Sequence, residues 1–312
     1  MPEKRIGNYL LPPGIDIFER GWLSANNIFL FSNEDVSLVD TGYCAHQQMT
    51  VDLVSNALKQ YDLKTFNKVV NTHLHSDHCG GNAALSERFE CEIWIPEAEA
   101  IAVQNWDEAL LSFHQLGQEC PRFNHHALLV PGEEIILGPY RWQIMAAPGH
   151  DNHSIMLYQE QHQILISADA LWEEGFGVIF PELWGEGGFE EVAQTLELIE
   201  GLSVALVIPG HGKPFTDVKK SIETAKSRLD YLSSDADRNA RHGAKVLLKY
   251  KLLEWRHQEL AKVNQWISGT PALESIRHQM NLGAEEFQAW LVQALVRSKA
   301  ATIEKNHLIN LD

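Results

Sequence analysis

Residues 72–81 read Thr-His-Leu-His-Ser-Asp-His-Cys-Gly-Gly, so His73, His75, Asp77 and His78 fall within six positions. In an extended chain alternate side chains share a face, which pairs His73 with His75; a turn then brings Asp77 and His78 around. Neutral imidazoles and a carboxylate are the donors that borderline cations such as Zn²⁺ take, and Fe or Mn accept the same set. A polar loop with only adventitious metal affinity is the plain alternative. Four donors ending the apolar run 68–71 favour a metal. Gly80 and Gly81 permit a tight bend into the next element. Three further donors each follow a β-rich run: His150 in Pro148-Gly149-His150, Asp169 in Ser167-Ala168-Asp169, and His211 in Pro209-Gly210-His211. Convergent ligands are most easily held at the ends of rigid elements. Five histidines and two aspartates suffice for two metals. Cys79 reads as a small loop residue, and His153 as either a donor to a substrate oxygen or a polar turn residue.

The elements that must position these donors alternate. Residues 26–31 and 36–39 are β-rich around a turn at 32–35, and Asp40-Thr41-Gly42 ends the second run. Residues 47–58 carry apolar side chains at a helical period, 68–71 is a short buried strand, 82–89 a helix and 92–95 a strand. This alternation marks a layered α/β architecture. Between 127 and 167 five short β-rich segments follow one another, which predicts a mixed or antiparallel sheet. Residues 189–200 read as a helix and 204–208 as a buried strand. From 217 onward the pattern is almost wholly helical, with a short strand at 308–311, so a catalytic unit over 1–217 and a helical one over 218–312 are expected. The aromatic stretch 171–177, with Phe180 and Trp184, follows Asp169 directly and reads as a lid or apolar pocket wall.

The 312 residues carry 25 Lys and Arg against 42 Asp and Glu, a net charge of −17. Residues 1–217 hold 10 basic against 31 acidic side chains, while 218–312 hold 15 against 11. An acidic body disfavours non-specific nucleic-acid binding. No run approaches the roughly 18 consecutive apolar residues of a membrane span, and the N-terminal stretch, broken by Pro12-Pro13, does not read as a secretory signal. Four cysteines without CxxC spacing read as free thiols in a reducing cytoplasm.

The ordered set resembles the metallo-β-lactamase superfamily: HxHxDH at 73–78, then His150, Asp169 and His211, preceded by the strand–Asp–Gly element Val39-Asp40-Thr41-Gly42. The resemblance covers roughly residues 20–217 and implies an αββα sandwich with a two-metal site at one edge of the paired sheets. By position it implies that His73, His75 and His150 hold one metal and that Asp77, His78 and His211 hold the other. Asp169 would bridge them, and Asp40 would steady the ligand loop without touching metal; a turn-capping aspartate is the plainer reading of Asp40. Two divalent cations about 3.5–4 Å apart can share a water, lower its pKa toward ~7 and generate a bridging hydroxide that attacks a carbonyl or phosphoryl centre. Asp77 can orient that hydroxide or shuttle its proton.

The Thr-His-x-His-x-Asp-His-x-Gly-Gly loop is similar to that of the thioester-cleaving glyoxalase II branch. Here, however, Asp151-Asn152-His153-Ser154 follows His150 in place of that branch's Thr-x-Gly-His/Ser run, and its basic and tyrosine glutathione contacts find no match. The C-terminal helices and short strand, with Lys245, Lys249, Lys251 and Arg256, resemble the winged-helix-like appendage of the β-lactamase-like endoribonuclease branch. Interspersed Glu254 and Glu259 favour a solvated face instead. Leu247, Leu248, Leu252, Leu253 and Trp255 read as core or as a homodimer seam. The expectation is a cytoplasmic, dinuclear-metal hydrolase, zinc by default, that cleaves an ester, thioester or lactone of a small-molecule substrate without a membrane partner. The alternative is a metal-dependent endoribonuclease acting on single-stranded RNA. A non-catalytic scaffold that kept the fold is a third reading.

Overall fold

The β-rich runs pair into two sheets in a computed structural model that describes residues 4–311. Met1–Glu3 and Asp312, the outermost residues of the two expected units and of the N-terminal stretch, lie outside the described residues. The first sheet runs in sequence order: β1 (Ile15–Phe18), β2 (Asn27–Phe31), β3 (Val36–Val39), β4 (Lys68–Val70), β5 (Glu92–Pro96) and β6 (Ala127–Leu129). Its first two pairings are antiparallel and the remaining three parallel. The second sheet contains β7 (Glu134–Leu137), β8 (Tyr140–Ala146), β9 (Ile155–Gln159), β10 (Ile164–Ala168) and β11 (Leu206–Pro209). It is antiparallel except for the β10–β11 pair. β1 lies upstream of the predicted strands and forms the edge.

Side-chain alternation explains why two sheets stack. Along β2, Ile28 and Leu30 join Val39, Val70, Trp142, Leu157, Ile166 and Ile208 in the core between the sheets. Phe29 and Phe31 point the other way, into a core with Val51 and Val54 of helix Gln47–Gln60 and Leu85 of helix Asn82–Phe89. A strand covered on both faces reads as a continuous apolar run, and β2 does. The outer face of the second sheet buries Met156, Tyr158, Leu165 and Val207 beneath helices Phe189–Gly201 and Val218–Ser233. The result is the expected αββα sandwich.

The fourth core holds Leu247, Leu248 and Leu252 of helix Ala236–Trp255 with residues of helices Leu260–Gly269, Pro271–Gln279 and Ala284–Arg297. Those leucines are therefore core rather than an exposed seam. A three-stranded antiparallel sheet, β12 (His257–Glu259), β13 (Ala301–Glu304) and β14 (His307–Asn310), closes the unit. Only the last of these strands is legible in the sequence, because β12 is short and polar. Helix Val218–Ser233 starts at the expected boundary yet packs on the second sheet. From this packing we propose that the units divide at 234–235. Among the described residues no helix is long and apolar enough to cross a membrane.

Candidate functional site

Parallel strands end at one rim, and the seven donors collect there. β3 ends at Asp40, whose backbone is left-handed at φ 57°; β10 ends at Ala168, also left-handed at φ 47°, where its register with β11 shifts. Such conformations cost of order 1 kcal/mol or more and gather at functional sites. Here they turn the Asp40 and Asp169 carboxylates toward the loop after β4. Helix Ser76–Cys79 follows that loop, and Gly80 and Gly81 let it dock. Both glycines have ordinary helical backbone. What they supply is room, since a Cβ at Gly80 would lie 2.4 Å from the Cys44 amide nitrogen and one at Gly81 2.6 Å from the Thr41 carbonyl.

The side chains converge tightly. His75 Nδ1 lies 3.0 Å from His73 Nε2 and 2.8 Å from His150 Nε2, so three ring nitrogens face one point. His150 Nδ1 donates to the Val178 carbonyl at 2.6 Å, which leaves Nε2 as the lone-pair nitrogen. Asp169 reaches both halves: its Oδ2 is 3.4 Å from His150 Nε2 and 3.9 Å from His211 Nε2, and its Oδ1 is 3.5 Å from His78 Nε2. His211 Nε2 lies 3.0 Å from Asp77 Oδ2. Potential ligand atoms cluster within 4.8 Å in the sets His73–His75–His150, His73–His78–Asp169 and Asp77–His78–His211. All seven sequence-derived candidates thus meet at one place.

The structure also gives Asp40 a position. Its carboxylate stands 2.8 Å from His78 Nδ1 and accepts from the Thr72 amide and hydroxyl at 2.9 and 2.8 Å, so it sits behind the donors. His78 thus donates from Nδ1 to Asp40 and turns Nε2 into the centre. That Nε2 is buried and has no hydrogen-bond partner among the described residues. A buried polar atom without a partner is costly. It fits a cation, as does the His/Asp donor set around it.

Electrostatics agree with this. Burial, reinforced by neighbouring imidazoles, pushes His73 well below the usual range and His150 to about 4, and burial lowers His75. All three are therefore neutral, the form that binds metals. Burial also opposes charge on His78 and Asp169, but their mutual attraction and their other opposite-charge neighbours prevail, so His78 is raised and Asp169 lowered. The carboxylates at the centre demand positive charge.

Several contributors were not anticipated. Asn26 Nδ2 donates to the Pro209 and Gly212 carbonyls at 3.0 and 2.8 Å, clipping the His211 loop in place. Paired asparagines opening an apolar strand were the available signal, because buried amides need partners. Trp22, 58% exposed, stacks on His211 with ring centroids 5.6 Å apart and meets Trp172 edge-on. Trp172 Nε1 donates to Asp169 Oδ1 at 3.2 Å.

His153 belongs to none of the three central sets: its Nδ1 is 3.0 Å from Glu99 Oε1, in a separate, partly exposed group with Asp151. Cys79 belongs to none of the sets; its thiol contacts the His75 carbonyl and lies 3.7 Å from Cys120 Sγ. All four cysteines are free.

A cleft of about 1080 Å³ opens over the centre. Trp22, Trp172, Phe176, Val178 and Phe180 form one side, so part of the 171–177 stretch is pocket wall, while Leu171 is buried core. Lys245, Val246, Tyr250 and Leu253 of helix Ala236–Trp255 form the other side.

The chain is similar to a hydroxyacylglutathione hydrolase of Bdellovibrio bacteriovorus, at 27% identity over 163 residues, 52% of this chain and 51% of that protein. It is also similar to an acyl-coenzyme A thioesterase of Gallus gallus, at 30% identity over 161 residues, 47% of this chain and 56% of that protein. The chain thus spans about half the length of these two relatives. Its fold extends over nearly its whole length in a metallo-beta-lactamase family protein from Thermus thermophilus, with a TM-score of 0.57 and 17% identity, covering 96% of this chain and 99% of that one. Residues 20–211 match the description "Metallo-beta-lactamase superfamily", and they contain every donor of the site. The chain belongs to the metallo-beta-lactamase superfamily.

Proposed function

We propose that this chain hydrolyses a thioester at a two-metal centre. The observation that carries the reading is the convergence of the His73, His75 and His150 nitrogens beside a second set built from Asp77, His78 and His211. His73, His75 and His150 would hold one divalent cation, Asp77, His78 and His211 the other, and Asp169 would serve both. The default ion is zinc, with iron or manganese compatible with the donors. Such cations supply an acidified water and a counter-charge for oxygen.

The chain's own groups do the rest. Asp77 is held below the usual carboxylate range; burial alone would raise it, but His78 and His211 outweigh that. It is ionised at neutral pH and can take the proton of an attacking water. Trp22, Trp172 and Phe180 exclude bulk solvent from one side and offer apolar surface to an acyl chain. Thioesters are favoured over other acyl compounds because the hydrolase and thioesterase relatives are named for that chemistry.

The ribonuclease alternative loses part of its support from the basic helix. Lys249 Nζ is engaged by the Ala300 and Leu311 carbonyls and by Asn310, and Lys251 by Glu254. These lysines are tied into the fold instead of forming a phosphate track. Four free thiols suit a reducing cytoplasm, where we place the enzyme.

The test is elemental analysis of the purified chain coupled to a hydrolysis screen of thioesters, lactones, aryl esters and RNA. About two metals per chain and thioester turnover, both lost in His75→Ala and Asp169→Ala, are expected. Full turnover by metal-stripped protein would overturn the reading, and so would RNA cleavage without thioester cleavage.

A further inference from the structure

The cleft also carries cations that the proposed chemistry does not use. Arg228, on helix Val218–Ser233, lines the cleft together with His242 and Lys245 of helix Ala236–Trp255. Several other basic side chains that are at least partly buried sit against carboxylates: Lys68 with Asp35, Lys251 with Glu254 and Arg277 with Glu274. Among the described residues Arg228 and Lys245 form no ion pair with a carboxylate, although the chain as a whole carries a net charge of −17. A largely buried guanidinium with no carboxylate to balance its charge is expensive, and one that lines a cleft is placed to gain that balance from an anionic ligand.

The guanidinium is also held in place. Arg228 Nη2 lies 2.7 Å from His242 Nε2. Burial and the Arg228 and Lys245 charges press the His242 pKa down to about 3, so the imidazole is neutral and Nε2 accepts the Arg228 hydrogen. On its other side Arg228 lies over the Phe176 ring at 5.5 Å. Gly175 makes room for it, since a Cβ there would sit 2.8 Å from Arg228 Cδ. The same segment, 172–178, donates to Asp169 through Trp172 and accepts from His150 through Val178. Arg228 and the metal donors therefore share one supporting strip of chain.

We propose that Arg228, oriented by His242 and joined by Lys245, forms an anion-binding subsite that receives a carboxylate or phosphate carried by the substrate away from its scissile carbonyl. The subsite rests on the thioester reading for its role in turnover, but its affinity for anions does not. A carboxylate on the acyl group and a phosphate on the thiol share the chemistry it needs, oxygen anions that accept forked guanidinium hydrogen bonds.

The test has a kinetic and a binding arm, both on the metal-loaded full chain. In the first, the succinyl and butanoyl thioesters of N-acetylcysteamine are compared, as are butanoyl-coenzyme A and butanoyl-pantetheine. The wild type should prefer the charged member of one pair by roughly tenfold or more in kcat/KM, the scale of a charge-assisted hydrogen bond. The preference names the source: acyl carboxylate in the first pair, thiol phosphate in the second. Arg228→Gln removes the charge and should bring that ratio toward one, with the change in KM; Arg228→Lys should retain part of it. Lys245→Gln, on a different helix, should lower it independently. In the binding arm, calorimetry with glutarate and with inorganic pyrophosphate should show affinity that Arg228→Gln weakens by about tenfold. If the wild type cleaves no thioester but binding depends on Arg228, the subsite stands and the thioester reading falls. Equal kcat/KM within both pairs, or anion binding unaffected by Arg228→Gln, overturns the subsite.

Discussion

At the scale of single residues, the centre depends on groups that never need to touch a metal. Asp40 fixes which nitrogen of His78 carries the proton. In Asp40→Asn the oxygen can still accept from Thr72, but the amide must donate to His78 Nδ1, which moves the imidazole proton to the nitrogen facing the centre. Metal content should fall by one ion per chain, and turnover or metal affinity by about 10–100-fold, the usual cost of losing such a supporting contact; elemental analysis and a metal titration check it. Wild-type affinity for both ions would show that Asp40 only caps a turn. Gly210→Ala is a second, sharper case. A Cβ there would lie 2.2 Å from Asp169 Oδ1 and 3.0 Å from His78 Cε1. The carboxylate must move, so metal loading and kcat/KM should drop about tenfold or more, while the melting temperature of chelator-treated protein stays close to wild type. The donors themselves were legible because a compact run of four, followed by three strand-end donors, leaves few other chemistries. Asn26, Trp22 and the Val178 carbonyl were not, since their partners lie far away in sequence and a backbone carbonyl leaves no mark in it.

At the scale of elements, what could be read was set by periodicity. Helix Gln47–Gln60 and strands β2, β3 and β5 bury regular faces, and the sequence pattern finds them within a few residues. β1 and the polar β12 owe their form to the partners they pair with, which no local pattern contains. Helix Val218–Ser233 was recognised, but the sheet it packs on was not, because an apolar stripe says that a face is buried without saying against what. Its junction with helix Ala236–Trp255 leads to a pH prediction. His242 has a folded pKa of about 3, lowered by burial and by Arg228 and Lys245, against roughly 6.5 when unfolded. The unfolded chain thus binds the extra proton between these values. This contribution is fully present above pH ~6.5 and is lost as pH falls toward 3. In urea titrations from pH 6.5 to 4, His242→Gln should show a shallower loss of unfolding free energy than wild type, by at most about 1.4 kcal/mol per pH unit. Superimposable slopes would mean that His242 is not held neutral. The other buried histidines titrate in both proteins and cancel in the difference.

For the whole molecule, the question is whether the C-terminal helices are an appendage or part of the enzyme. Val178, Phe180 and Leu183 leave the sandwich and bury themselves in the core of the helical unit. Asn239 Nδ2 also donates to the Ile179 carbonyl from helix Ala236–Trp255. This segment carries the carbonyl that orients His150, so the helical unit supports a metal ligand as well as walling the cleft. A chain ending after Ser234 keeps all four layers of the sandwich, and circular dichroism should show it folded. It exposes Val178, Phe180 and Leu183, loosens the His150 anchor and opens the cleft. Metal affinity should therefore weaken, and kcat/KM toward a thioester should fall about 100-fold, as expected when positioning is relaxed around a centre whose ligands remain. A chain ending after Asp217 also strips Val218, Ile222, Ala225 and Leu229 from the outer face of the second sheet. An apolar face of that extent left uncovered should drive aggregation, which sedimentation and soluble yield would report. Full metal loading and turnover in the chain ending at Ser234 would reduce the C-terminal helices to a passenger.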